Sequence, residues 1–125
     1  MNITGLDHLV ITTQDIDKCI AFYEGILGLR HEVKNGKHAF YFGRQKINIH
    51  TRPAEFLPAA AHPTYGSQDL CLLVEGDIDA IKGEIEAKGY PIEEGVVLRH
   101  GALGEMHSIY LRDADGNLIE IAVYG

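Results

Sequence analysis

The chain has 125 residues, 46% of them hydrophobic and 23% charged, which bounds it to one domain with a modest core. Eleven Lys and Arg stand against eighteen Asp and Glu, a formal net charge of −7, and the basic residues are scattered. A nucleic-acid partner, which needs a clustered basic face to release counterions, is therefore not expected. No apolar run approaches the about 20 residues that span a bilayer. The opening Met1-Asn2-Ile3-Thr4-Gly5 lacks the basic-then-apolar layout of a secretion signal. Cys19 and Cys71 have no metal or disulfide spacing and sit in apolar surroundings, so both read as buried free thiols of a cytoplasmic protein.

Leu6 to Thr13 is rich in β-branched residues and reads as a strand. Asp15 offers an N-cap to a helix with Ile16, Ile20, Tyr23 and Leu27 at helical spacing, and Gly28 ends it. Leu29 to Lys34 reads as a strand, and Asn35-Gly36 is a strong hairpin signal. Lys37 to Phe42 and Gln45 to Thr51 complete a meander. Residues 53–66, with Pro53, Pro58 and Pro63 and a run of alanines, read as a linker.

The same order then returns. Gln68 to Val74 is an apolar strand. Asp77 opens a helix carrying Ile78, Ile81 and Ile85 on one face, and Gly89 ends it. Pro91 to Arg99 reads as a strand, His100 to Met106 as a glycine-bearing loop, His107 to Arg112 as a strand, Asp113 to Gly116 as a turn, and Asn117 to Tyr124 as the last strand. Asp15-Ile16-Asp17 is echoed by Asp77-Ile78-Asp79. The reading is α+β: two βαβββ units, 1–52 and 67–125, that cannot bury both faces alone and pack against a copy.

Function is expected where a polar side chain interrupts an apolar strand. His8 does so in the first strand, Asp69 in the repeated one, and Glu120 is the sole charge between Asn117 and Tyr124. Overlaying the last strands of the two units sets Glu120 opposite Asn48, with His50 on the same face as Asn48. Together His8, His50, Asp69 and Glu120 offer imidazole and carboxylate ligands to a divalent metal. A lone His or Glu on a strand ordinarily just faces water; the recurrence at related places of a repeat raises this set above that default.

The other polar residues are weaker candidates. Arg99 is a fork for an anionic substrate group, or an ordinary surface arginine. Tyr110 either presents a hydroxyl or fills a core. His31 and His38 flank the hairpin and read as solvated, His62 lies in the linker, and His100 and His107 bracket the glycine-bearing loop. No nucleophile elbow, phosphate-cradling loop or compact metal motif is present.

The segments Leu6-Asp7-His8-Leu9-Val10-Ile11-Thr12, Ala21-Phe22-Tyr23-Glu24-Gly25-Ile26-Leu27-Gly28-Leu29 and Ser108 through Glu120 resemble the vicinal-oxygen-chelate superfamily. That superfamily contains glyoxalase I, fosfomycin- and bleomycin-resistance proteins and extradiol dioxygenases. Phe42 through His50, Pro63 through Cys71 and Pro91-Ile92-Glu93-Glu94-Gly95 are similar, more narrowly, to the family of glyoxalase domain-containing protein 5 and its bacterial relatives.

The resemblance implies a curled eight-stranded mixed-sheet cup with helices outside, a metal within it, and a small oxygen-bearing substrate completing the coordination. It places His8 at the first-strand ligand and Glu120 at the last-strand ligand. Asp69 stands where glyoxalase I has His, and Asn48 where it has Glu, with His50 as a substitute from the same face. Glu120 is the candidate base, with Asn48, Arg99 and Tyr110 as substrate contacts. The implied metal is Ni, Zn, Mn, Mg or Fe. The implied activity is glyoxalase-type lyase or isomerase chemistry or, second to it, extradiol cleavage. Metal-free sequestration of a small ligand is the alternative, and a homodimer the implied assembly.

Overall fold

The computed structural model describes all residues, 1–125. The chain divides into two compact units, Met1–Ser67 and Gln68–Gly125. The first runs β1 (His8–Thr12), α1 (Ile16–Ile20, continued by a wider helical turn over Ala21–Ile26), β2 (Arg30–Lys34), β3 (Lys37–Phe42) and β4 (Gln45–His50). The second runs β5 (Asp69–Leu73), α2 (Ile78–Ala87), β6 (Glu94–Gly101), β7 (Gly104–Arg112) and β8 (Leu118–Tyr124). The α+β reading and the duplicated βαβββ plan hold. The eight strands form two four-stranded mixed sheets, ordered β1-β4-β3-β2 and β5-β8-β7-β6.

Each unit obeys the same logic. The helix is a crossover long enough to let the first strand lie parallel to the last, while the hairpin-linked strands pair antiparallel. Asp15 caps α1 by accepting a hydrogen bond from the Lys18 amide at 3.1 Å, and Asp77 starts α2 by accepting from the Asp79 amide at 3.4 Å. Alternation then assigns the faces. In the first unit Ile11, Phe40, Ile47 and Ile49 are buried on the helix side, where Tyr23 lies 5.2 Å from the Phe40 ring. In the second, Ile109, Leu111, Ile119 and Ile121 are buried with Ile78 and Ile85 of α2. Each such side chain contributes roughly 1.5–3 kcal/mol of burial.

Four local readings are corrected. The first helix is not uniform: the Leu27 amide donates to Phe22 O, five residues back, at 3.0 Å. This widened turn lets consecutive rings, Phe22 and Tyr23, both enter the core, edge to face at 4.8 Å. The expected loop from His100 to Met106 is mostly sheet, because β6 and β7 continue in register to a Gly101–Gly104 pair. His31 and His38 are not solvated: they stack at 5.2 Å on the helix side of the sheet, with Nε2 and Nδ1 2.9 Å apart. Cys19 is buried as read, but Cys71 is exposed, because alternation along β5 turns it to the face away from the helix.

Candidate functional site

The helix-free face of each sheet collects the polar strand residues. In the first unit His8, Val10 and Thr12 of β1 lie beside Lys46, Asn48 and His50 of β4, paired rung by rung. His8 is exposed and its Nδ1 lies 2.8 Å from Asp7 Oδ1, which leaves Nε2 as the outward nitrogen. Asn48 is half-buried opposite Ala39 of β3. His50 sits at the far end of β4, its ring edge-to-face with Phe56 at 5.3 Å. Four residues separate its rung from that of His8, roughly 13 Å along the strands. The register thus brings His8 diagonal to Asn48 and sets His50 two residues beyond Asn48, on the side away from His8.

His50 is fixed from behind by the segment that follows it. Glu55 accepts from the Thr51 amide at 2.7 Å, the Thr51 hydroxyl at 2.8 Å and Arg52 Nη1 at 3.3 Å. The Thr51 amide bond is the largest cause holding the Glu55 carboxyl below its ordinary value. Burial opposes it, and the Thr51 hydroxyl, Arg52 and His50 add to it. Phe56 is thereby held over the end of β4. A cavity of about 350 Å³ opens here, lined among others by Lys34, Lys37, Tyr41, Lys46, Asn48, His50 and Phe56.

The second unit repeats the geometry with different side chains. Asp69 pairs with Leu118 and Cys71 with Glu120, so Asp69 stands to Glu120 as His8 stands to Asn48, one rung removed in both. Glu120 also pairs with Tyr110 of β7, and Tyr110 with Glu94 of β6. Arg99 Nε donates to the Tyr110 hydroxyl at 3.0 Å, and Arg99 Nη2 lies 3.4 Å from Glu94 Oε1.

A row Glu94–Arg99–Tyr110–Glu120 therefore crosses three strands. Burial chiefly raises the Tyr110 pKa, with the Glu120 carboxylate adding to it and Arg99 opposing. The hydrogen bond to Tyr110 is what chiefly raises the pKa of Arg99. Cys71, though exposed as a residue, has its thiol pushed up to about 11, first by desolvation and then by the Glu120 carboxylate. Asp69 is exposed and its charge is felt at Arg112, which Glu93 clasps through two bonds of 3.0 Å.

Two buried side-chain oxygens on this face have no protein partner, Glu120 Oε2 and Ser108 Oγ. Such an atom costs about 1–3 kcal/mol unless a ligand meets it. Nowhere in the chain do three His, Cys, Asp or Glu side chains form a ready metal cluster. Taken singly, the groups are of kinds a divalent cation accepts: in the second unit an orphaned carboxylate oxygen and an exposed carboxylate, and in the first a carboxylate-oriented imidazole.

The Glu94–Arg99–Tyr110 part of the row is legible in sequence only as isolated candidates. Arg99 and Tyr110 stand out singly, but what joins them is the long β6–β7 register that a glycine-bearing loop reading conceals. The Glu55 clasp gives no advance signal beyond a carboxylate four residues after Thr51.

A duplicated βαβββ protein with donor groups at matching rungs defines a recognisable class. Residues 5–121 match the family description Glyoxalase/Bleomycin resistance protein/Dioxygenase superfamily, and the chain belongs to that superfamily. Virulence protein STM3117 of Salmonella typhimurium is 49% identical over 125 residues, covering 99% of this chain and 87% of that one. Glyoxalase domain-containing protein RDO1 of Mycosarcoma maydis is 43% identical over 124 residues, covering 99% and 70%. The crystal structure of the Salmonella protein superposes with a TM-score of 0.96 at 48% identity over the whole of both chains. That of lactoylglutathione lyase from Agrobacterium tumefaciens gives 0.77 at 25% identity, covering 98% and 96%. No helix is long and apolar enough to cross a membrane.

Proposed function

We propose that the protein is a divalent-metal-dependent enzyme of glyoxalase type, acting on a small oxygen-bearing substrate. The observation that carries this reading is Glu120, whose Oε2 is buried without a partner at the end of the Glu94–Arg99–Tyr110 row. His8, Asp69 and one carboxylate oxygen of Glu120 are the proposed donors, with His50 or Asn48 completing the set, which leaves the second Glu120 oxygen free to act as base. The metal, when bound, supplies a Lewis acid that polarises a substrate carbonyl. Glu120 takes the proton from the hydroxyl-bearing carbon beside that carbonyl and returns it to the former carbonyl carbon, while the hydroxyl proton passes to the former carbonyl oxygen. Arg99 fixes the Tyr110 hydroxyl, and Tyr110 in turn orients the Glu120 carboxylate and contacts substrate. Asn48 is proposed as a further substrate contact. The working assembly is a cytoplasmic homodimer.

Metal analysis of chelator-free protein tests the reading, repeated on His8→Ala, His50→Ala and Glu120→Ala. About one equivalent of metal in the wild type, lost in His8→Ala and Glu120→Ala, is expected, together with a rise in Tm on adding Mn²⁺, Ni²⁺, Zn²⁺ or Fe²⁺. No bound metal and no Tm response to any of these ions would sink it in favour of metal-free ligand sequestration. Retention in His50→Ala assigns the fourth place to Asn48. Turnover of methylglyoxal hemithioacetal, set against catechols, separates isomerisation from extradiol cleavage.

A further inference from the structure

The chain is acidic, yet the cavity of the first unit is not. Three lysines, Lys34, Lys37 and Lys46, line it against one carboxylate, Glu32, in a protein of net charge −7. Glu32 is already engaged, 3.5 Å from Arg30 and 3.9 Å from Lys34. Lys37 and Lys46 have no carboxylate within salt-bridge range. Each is held instead over an aromatic face: Lys37 Nζ lies 4.6 Å from the Phe56 ring centre and Lys46 Nζ 5.8 Å from that of Tyr41.

A surface lysine that finds no acid normally swings into water. Here the rings keep two ammonium groups at the rim of one concave site, beside the Asn48 amide and the His50 ring. Two preorganised cations, two neutral polar groups and two aromatic walls suit an anion with a flat or apolar body. The volume of about 350 Å³ lies in the range of small-molecule pockets.

We propose that this cavity binds the anionic end of a small organic acid, a carboxylate or a phosphonate, through Lys37 and Lys46. The proposal rests on the reading above only in taking the bound molecule to be the substrate; the binding itself needs neither the metal nor turnover. Lys46, on the same strand face as Asn48, takes the acid group, and Lys37, four residues along at the His50 end of the cavity, adds its positive charge.

The test is a titration of the chelator-treated full chain by amide-resolved nuclear magnetic resonance with three probes. These are phenylglyoxylate, its neutral amide and phenylphosphonate. Both acids are expected to shift amides of β3 and β4, with the neutral amide at least about tenfold weaker and affinity falling as salt rises. The tighter of the two acids names the anionic group.

Lys46→Met should weaken the acids about tenfold and Lys37→Met a few-fold, both leaving the neutral amide unchanged, while Lys46→Arg retains binding. Unchanged spectra elsewhere verify that the variants fold, and Lys46→Gln and Lys37→Gln replace either that does not. Equal affinity for acid and amide, no shift with either acid, or acid binding untouched in both lysine variants overturns the proposal. Anion binding in a protein that takes up no metal would leave this site standing and remove the enzymatic reading.

Discussion

The two units share a frame and differ in what they hang on it. Each pairs its first and last strands in parallel with the same offset, so that His8 corresponds to Asp69 and Asn48 to Glu120. One step outward, Ala39 corresponds to Tyr110, and beyond it Glu32 to Glu94. In the first unit the central rung is neutral and lysines flank it on both sides, Lys46 beside His8 and the Lys34–Lys37 pair at the His50 end. In the second it carries a carboxylate, and a Tyr–Arg–Glu row runs up to it. Duplication preserved the rungs because a one-residue slip would turn every core side chain outward. The helix-free faces bear no such constraint and diverged.

The largest expected asymmetry lies at the central rung. Glu120→Gln keeps shape but removes the proton acceptor and weakens a proposed metal donor, so turnover should fall roughly 10²–10⁴-fold while the metal-free Tm is little changed. Asn48→Ala, at the matched place, should act chiefly on KM. Comparable losses of kcat in both would mean that the two faces share the chemistry equally. Tyr110→Phe should sit between them, with the loss falling on kcat more than on KM if its hydroxyl orients Glu120 without itself taking the proton.

The cysteines give a second contrast. Cys19 is 1% exposed in the first unit and is shielded by packing, whereas Cys71 is exposed and restrained by its surroundings. With its thiol raised from 9.0 to about 11, Cys71 should label with iodoacetamide at a rate that still climbs past pH 10. The folded chain holds this proton more tightly than the unfolded one, so stability falls as pH rises from about 9 towards 11. Glu120→Gln should move the labelling curve to lower pH. A plateau near pH 9 would show that the thiol is not desolvated, and an unmoved curve in Glu120→Gln that it does not feel the carboxylate.

The repeat was legible because its signals are local: Asp15 and Asp77 as caps, Gly28 and Gly89 as stops, Asn35-Gly36 as a hairpin. Even the correspondence of Asn48 with Glu120 follows from counting along strands. What escaped depends on partners distant in sequence. His31 and His38 sit beside a hairpin and so look solvated, but period-two alternation turns both towards the helix, where Phe40 lies 5.2 Å from His31. Glycines at 101 and 104 suggest a loose loop, and cross-strand pairing makes it a long hairpin instead. Chemistry-bearing residues could be picked singly; the Arg99–Tyr110 bond and the Lys37–Phe56 contact needed the sheet.

The start of each last strand offers a smaller test of how far the units remain equivalent. Asn117 is buried, accepts from the Gln68 amide at 2.8 Å and donates to Asp113 Oδ2 at 2.7 Å. Gln45, at the matched place, donates to the Leu6 carbonyl at 3.0 Å from an exposed position. Asn117→Ala should cost about 2 kcal/mol, because it strips partners from buried groups, and Gln45→Ala about a quarter of that, because water replaces the bond. Urea unfolding of both variants measures the difference, and equal costs would mean that burial does not separate the two ties.

The smallest effect belongs to a feature that the first unit alone follows its last strand with, the Glu55 clasp. Its carboxyl is held below 4.5, chiefly by the Thr51 amide, and the side chain is only 13% exposed. A depressed folded pKa means that the stabilisation is present above the unfolded value and is lost as pH falls below 4.5 through the folded one. Glu55→Gln should therefore cost less than about 1 kcal/mol at pH 7, after allowance for solvent screening, and progressively less as pH falls below 4.5. Because the clasp carries Phe56, the same variant should also loosen Lys37 and weaken acid binding in the cavity by a few-fold. A stability loss that persists undiminished at pH 3 would assign the role of Glu55 to packing, and unchanged acid binding would detach the clasp from the cavity.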